Sequence, residues 1–237
     1  MREKVTFNMA TMPPRIPALA DSIPSIINQC DVLNIYLNDF EDDEIPAILR
    51  HPKIKLFRSQ HEIGNLGDVG KFYFCNTWTE GYVFTVDDKI IYPRNYVAEH
   101  IAAIERYGRK AVVSCHGRLL KSPCRSYYHD PAAFYGVLGT IITDTFAHEL
   151  GTGAMAFHVD TVKASMDDFP YINMTDIYFS MKLQRKGIPI LIRKHFRGDF
   201  RLSTKHDEHH SIHNTFNKDD SFQTEVVNGF EWKINRC

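Results

Sequence analysis

Gly81-Tyr-Val-Phe-Thr-Val-Asp-Asp-Lys-Ile-Ile-Tyr-Pro93 changes character in its middle. Tyr82 to Val86 is a β-branched and aromatic run, the composition of a buried strand. It stops at two adjacent carboxylates, Asp87 and Asp88. Pro93 then opens a helical pattern, as proline does in a first helical turn. A buried strand thus delivers two acids to its carboxyl end, the edge at which open α/β sheets take their ligands. Hard oxygen ligands at such an edge suit Mg2+ or Mn2+ holding a diphosphate. A plain polar turn is the alternative, because acids are common after strands, and the local sequence does not choose between the two.

Upstream the same arrangement repeats. Val5 to Met9 is a strand, followed by a proline-rich loop, Ala10-Thr-Met-Pro-Pro-Arg-Ile-Pro17, that carries the cation Arg15. Ala18 to Gln29 has helical apolar spacing at Leu19, Ile23, Ile26 and Ile27 despite Pro24. Val32 to Leu37 is a second strand and ends in Asn38-Asp39. A short helical turn covers Ile45 to Arg50, and Ile54 to Phe57 is a third strand. Gly64-Asn-Leu-Gly-Asp-Val-Gly-Lys71 places glycines where a backbone can approach a ligand closely, with Lys71 at the expected start of a helix over Phe72 to Thr77. It matches neither the P-loop nor the G-x-G-x-x-G pattern.

Downstream, Pro93 to Arg106 is an amphipathic helix and Ala111 to Cys115 a strand. Strands alternating with helices predict a largely parallel, three-layer α/β sheet. Leu120 to Phe146 is irregular and aromatic and reads as a long loop. His148 and Glu149 precede the small-residue turn Gly151-Thr-Gly153, which leads into a strand over Ala154 to His158. Met174 to Lys186 is a helix and Ile188 to Ile192 a strand. His206, His209, His210 and His213 follow at i, i+3, i+4, i+7 spacing, one helical face that fits either a zinc site or a solvated polar segment.

Composition bounds the rest. The 237 residues, 43% hydrophobic and 24% charged, suffice for one α/β domain or two small ones. A formal net charge of -1 gives no basic field for nucleic acid. Five cysteines, odd in number and without C-x-x-C spacing, suit free thiols in a reducing compartment. No apolar run approaches transmembrane length and no signal peptide is visible. The expectation is a soluble, cytoplasmic domain, with peripheral membrane association and oligomeric state left open. Nothing after Asn228 looks like a designed end, so the chain is open to being part of a longer protein.

The ordered set resembles a GT-A fold glycosyltransferase of the broad family-2-like inverting group. Val5 to Arg15 is similar to the first strand and nucleotide-contacting loop, bringing in Thr11 and Arg15. Leu33 to Asp39 resembles the second strand, whose terminal acid binds the nucleoside. Gly64 to Lys71 resembles the Asn-x-Gly loop through Asn65, Gly67 and Lys71, and Phe84 to Pro93 resembles the Asp-x-Asp strand. Thr175-Asp-Ile-Tyr-Phe-Ser-Met-Lys-Leu is similar to the helix start that presents the catalytic base.

The resemblance implies a three-layer αβα sandwich with a mostly parallel, Rossmann-like sheet, in a single domain over 1–237. Residues 1–115 would form the nucleotide-sugar half, 116–200 the acceptor half, and 201–237 a His-rich end. It implies transfer from a nucleotide-sugar, with UDP the default base, to a hydroxyl of a glycan acceptor in polysaccharide or glycoprotein synthesis. Asp176 would be the base, with Glu149 in reserve, and His148, Gly151, Thr152 and Gly153 would lie beside donor sugar and acceptor. Asp87 and Asp88 would hold Mn2+ or Mg2+, with His206 or His209 completing the site. One departure stands out: aligned on Ile90-Ile-Tyr-Pro93, the second acid of Asp-x-Asp is Lys89. Either Asp88 takes the metal, or Lys89 meets the diphosphate as a point charge. A sugar-phosphate nucleotidyltransferase and an inactive nucleotide-sugar-binding module are the alternatives.

Overall fold

The computed structural model describes residues 2–41, 45–58, 63–206 and 212–237, without the side chains of residues 212 and 213. The chain enters the fold at β1 (Val5–Thr11), followed by β2 (Val32–Leu37), β3 (Ile54–Arg58), β4 (Tyr82–Asp87), β5 (Ile90–Ile91) and β6 (Val112–Ser114). Next come β7 (Gly117–Leu119), β8 (Ala133–Tyr135), β9 (Thr145–Phe146), β10 (Glu149–Leu150), β11 (Ala154–His158), β12 (Ile190–Ile192) and β13 (Arg201–Leu202). The helices are α1 (Ile16–Ile26), α2 (Tyr96–Arg106), α3 (Thr175–Arg185), α4 (Ile212–Phe216) and α5 (Ser221–Asn228).

The central sheet has eight strands in the order β3-β2-β1-β4-β11-β6-β12-β9. β1, β2, β3 and β4 pair in parallel. β11 then enters antiparallel to both β4 and β6, and β12 runs parallel to β6. The sheet is therefore mostly parallel, with β11 and the edge strand β9 reversed.

Side-chain alternation splits the core into two layers. Phe7, Met9, Leu33, Ile35, Phe84 and Val86 face α1 and α2, while Val83, Met155, Phe157, Ile190 and Ile192 face α3. On β1 the second face also carries a buried polar residue: Asn8 donates to Phe84 O and accepts from Asn34 and from the Trp78 indole. Two expectations are corrected. Phe72 to Thr77 is not a helix; short 3-10 turns at Gly67–Phe72 and Cys75–Thr77 replace it. Residues 120–146 are not all loop, for β8 pairs with β7 and β9 closes the main sheet against β12. All five cysteines are free. No helix among the described residues is long and apolar enough to cross a membrane.

Candidate active site

A cavity of about 860 Å³ opens where the parallel strands end. Thr11 closes β1, Asn38 follows β2 and Asp87 closes β4, and all three line it. Successive residues at a strand end point to opposite faces, and this separates the two acids. Asp87 faces the cavity, whereas Asp88 is fully buried and off the lining. Asp88 accepts from the Thr11 hydroxyl at 2.8 Å and from Arg15 at 3.2 Å. Burial and the neighbouring Asp87 charge raise its pKa against the pull of Arg15.

Asp87 is bonded to the buried ammonium of Lys71. Burial alone would raise its pKa, but Lys71, Lys89 and Arg15 hold the carboxyl well below the usual range. Lys71 in turn feels Asp87, Asp68 and Asp176 together, and their charges keep it protonated against the burial that would lower its pKa. Asp68, on the glycine loop, fastens that loop to the start of α3 by accepting from the Thr175 hydroxyl and backbone N–H. Gly67 adopts φ 53°, and a Cβ there would lie 2.3 Å from Asn173 Oδ1, so glycine is required for the loop to dock. Lys89 also lines the cavity. Its ammonium makes no hydrogen bond or ion pair among the described residues.

The turn before β11 joins this wall to α3. Thr152 donates both its backbone N–H and its hydroxyl to Asp176, and Gly153 packs against Asp87 so closely that a Cβ would lie 2.5 Å from Asp87 Oδ2. Tyr92 fixes the same corner: Asp87 N–H donates to its hydroxyl at 2.7 Å, and the hydroxyl donates to Gly153 O at 2.5 Å.

A further part of the wall comes from residues the sequence reading missed. His116 and Arg118, just beyond the end of β6, line the cavity with Tyr127 and Tyr128. The His116 Nε2 is buried without a hydrogen-bond partner among the described residues, and burial brings the ring's pKa down to about 4 despite the Asp176 charge. Arg118 lies over the Tyr127 ring at 4.1 Å and donates to Tyr127 O at 2.7 Å.

Four of the expected site residues, Glu149, His148, Asp39 and His206, fall away from the cavity. Glu149 is buried behind Arg118 at 3.3 Å and accepts from the Tyr127 hydroxyl at 2.5 Å; burial pushes its pKa to about 7. It supports the wall instead of facing an acceptor. His148 accepts from Leu120 N–H at 2.9 Å and is a structural residue. Asp39, at φ 58°, is exposed and takes the Asn65 amide, so it stands beside the lining residue Asn65 without lining the cavity itself. Gly151 and Thr152 do line it, and a Cβ on Gly151 would strike the His116 ring. His206 Nδ1 is engaged with Ser203 O at 2.5 Å and lies off the lining. His209 and His210 lie outside the described residues.

Among the described residues the donor set does not fit a divalent ion. Both oxygens of Asp88 are spent on Thr11 and Arg15, and Asp87 is paired with Lys71. Among the described residues no group of three or more His, Cys, Asp or Glu is placed to hold a metal. What the arrangement offers is a cationic, strand-end wall facing a carboxylate on a helix N-terminus.

No protein-family model and no curated protein sequence matches the chain. Among solved structures, the fold is similar to that of the mannosyltransferase PcManGT from Pyrobaculum calidifontis, in complex with GDP-Man and Mn2+. The TM-score is 0.50 at 17% sequence identity, over 80% of this chain and 54% of that one. The chain thus spans about half the length of that protein. The likeness is one of fold: a mostly parallel α/β sheet of the GT-A type.

Proposed function

We propose that the protein is a glycosyltransferase that moves a sugar from a nucleotide-sugar donor to a hydroxyl of a glycan acceptor, with inversion in a single displacement. The observation that carries this reading is the meeting of Asp87, Lys71, Lys89 and Arg15 with Asp176 around one cavity at the strands' carboxyl edge. Lys71, Lys89 and Arg15 supply positive charge for a diphosphate leaving group, whose charge grows as the anomeric C–O bond breaks. Asn38 and Asn65, with Asp39 beside them, provide donors and acceptors for the nucleoside, and UDP remains the favoured nucleotide. Asp176 takes the proton of the acceptor hydroxyl as that oxygen attacks the anomeric carbon. Thr152 fixes the carboxylate through one oxygen. Tyr127, Tyr128 and Phe134 offer ring faces to the acceptor sugar, and His116 offers an uncommitted ring nitrogen. No step is routed through Mn2+ or Mg2+.

The test is release of nucleoside diphosphate from UDP-, GDP- and dTDP-sugars in the presence of mixed glycan acceptors. Release from at least one donor is expected. Folded protein that releases none, or that releases diphosphate from nucleoside triphosphates instead, overturns the reading.

A further inference from the structure

We infer that the donor's diphosphate is held by side-chain cations alone, with Lys89 as the cation that meets it, so that donor binding needs no divalent metal. This rests on the donor-site reading above.

Among the described residues, the strand-end carboxylates that would hold a metal are already paired. The Lys71 ammonium is bonded to Asp87 and also feels Asp68 and Asp176. The Arg15 guanidinium meets Asp88, whose remaining oxygen takes the Thr11 hydroxyl. Each strand-end carboxylate thus has an internal counter-ion. A divalent ion on Asp87 would compete with the buried Lys71 ammonium for that carboxylate and set a second positive charge beside it, a costly exchange in a site of low dielectric.

Lys89 is the cation left over. It lines the cavity, and its ammonium has no hydrogen bond or ion pair among the described residues. Its backbone is pinned from behind. β13 pairs with β5 next to it, and Ser203 N–H donates to Lys89 O at 2.9 Å. Ser203 is itself anchored through its hydroxyl to Asp21 of α1 at 2.7 Å. The main chain bearing the charge is therefore set before any ligand arrives, which lowers the cost of ordering it on binding. A flexible four-carbon stem with a compact charge suits a diphosphate oxygen as a point contact.

Calorimetry with UDP and GDP, each in EDTA and in Mn2+, tests this directly without any turnover. The wild-type protein is expected to bind one nucleoside diphosphate with the same affinity, within about threefold, in both buffers. Lys89→Met should weaken binding in EDTA by roughly 10- to 100-fold, the worth of a hydrogen bond to a charged group. Lys89→Arg, which keeps the charge, should stay within several-fold of wild type. Both variants should melt as the wild type does, because the side chain holds nothing in place. Wild-type binding that vanishes in EDTA and returns with Mn2+ overturns the inference while leaving the donor site standing. Unchanged affinity in Lys89→Met also overturns it. Binding of neither nucleotide in either buffer overturns the donor-site reading together with it.

Discussion

A single oxygen of Asp176, Oδ1, accepts both the backbone N–H and the hydroxyl of Thr152, each at 2.7 Å. The helix-start carboxylate is thereby tied to the turn that enters β11. An asparagine can offer its carbonyl oxygen to both donors, so Asp176→Asn should fold and bind donor as the wild type does. It cannot accept the acceptor's proton, and turnover should fall roughly 10²–10⁴-fold. Steady-state kinetics and a melting curve check this together. Lost stability with normal turnover per folded molecule would make Asp176 an anchor only.

Lys71→Met should destabilise the fold by about 3 kcal/mol, because it strips Asp87 of its buried counter-ion. Adding Asp87→Asn should recover part of that loss, since the isolated charge is then gone as well. Urea unfolding of the two variants measures both effects. A single variant as stable as wild type would show that Asp87 finds another partner at no cost.

Glu149 predicts a pH dependence of stability. Its carboxyl ionises near 4.5 when unfolded and at about 7 when folded, because burial outweighs the attraction of Arg118. Between those values the folded chain holds a proton that the unfolded chain has released, so this group's contribution to stability falls as pH rises. His116, with its pKa brought down to about 4, contributes the opposite slope over the acid range. The comparison of wild type with Glu149→Gln isolates the first effect: the stability of the wild type relative to the variant should fall between about pH 4.5 and 7 in urea titrations. Parallel curves would place the Glu149 proton elsewhere.

Gly153→Ala should weaken nucleoside diphosphate binding and cost about 1–3 kcal/mol of stability. The new methyl would lie 2.5 Å from Asp87 Oδ2, and Asp87 is held by Lys71 and cannot simply swing aside. Calorimetry and unfolding on the same preparation check it. Unchanged binding would mean that Asp87 can shift without disturbing the donor wall.

Strand existence was legible because β-branched and aromatic runs such as Tyr82 to Val86 signal burial locally. The position of β11 was not, because Ala154 to His158 looks the same whether it adds at an edge or inserts between β4 and β6. Asp87 and Asp88 were legible as a pair, but which one faces the cavity depends on the pleat and on Arg15, which is distant in sequence. His148 and Glu149 stand close to Gly151 in sequence, yet His148 is turned to the Leu120 N–H and Glu149 to Arg118, behind the cavity wall. His116 and Arg118 carry the same signal as Asp87, for Cys115-His-Gly-Arg118 also follows a strand end.

The reversed strand β11 also sets a timetable. During synthesis β4 is made some seventy residues before the strand that covers its free side, and β6 is made before either of its own neighbours, β11 and β12. Until His158 emerges, the apolar edge of β4 has an open row of backbone donors and acceptors, the kind of surface to which another chain adds. A nascent chain halted near Cys115 would carry the cationic strand-end wall on a sheet still open at one side. Such a fragment should associate with itself, and release past β11 should end that tendency.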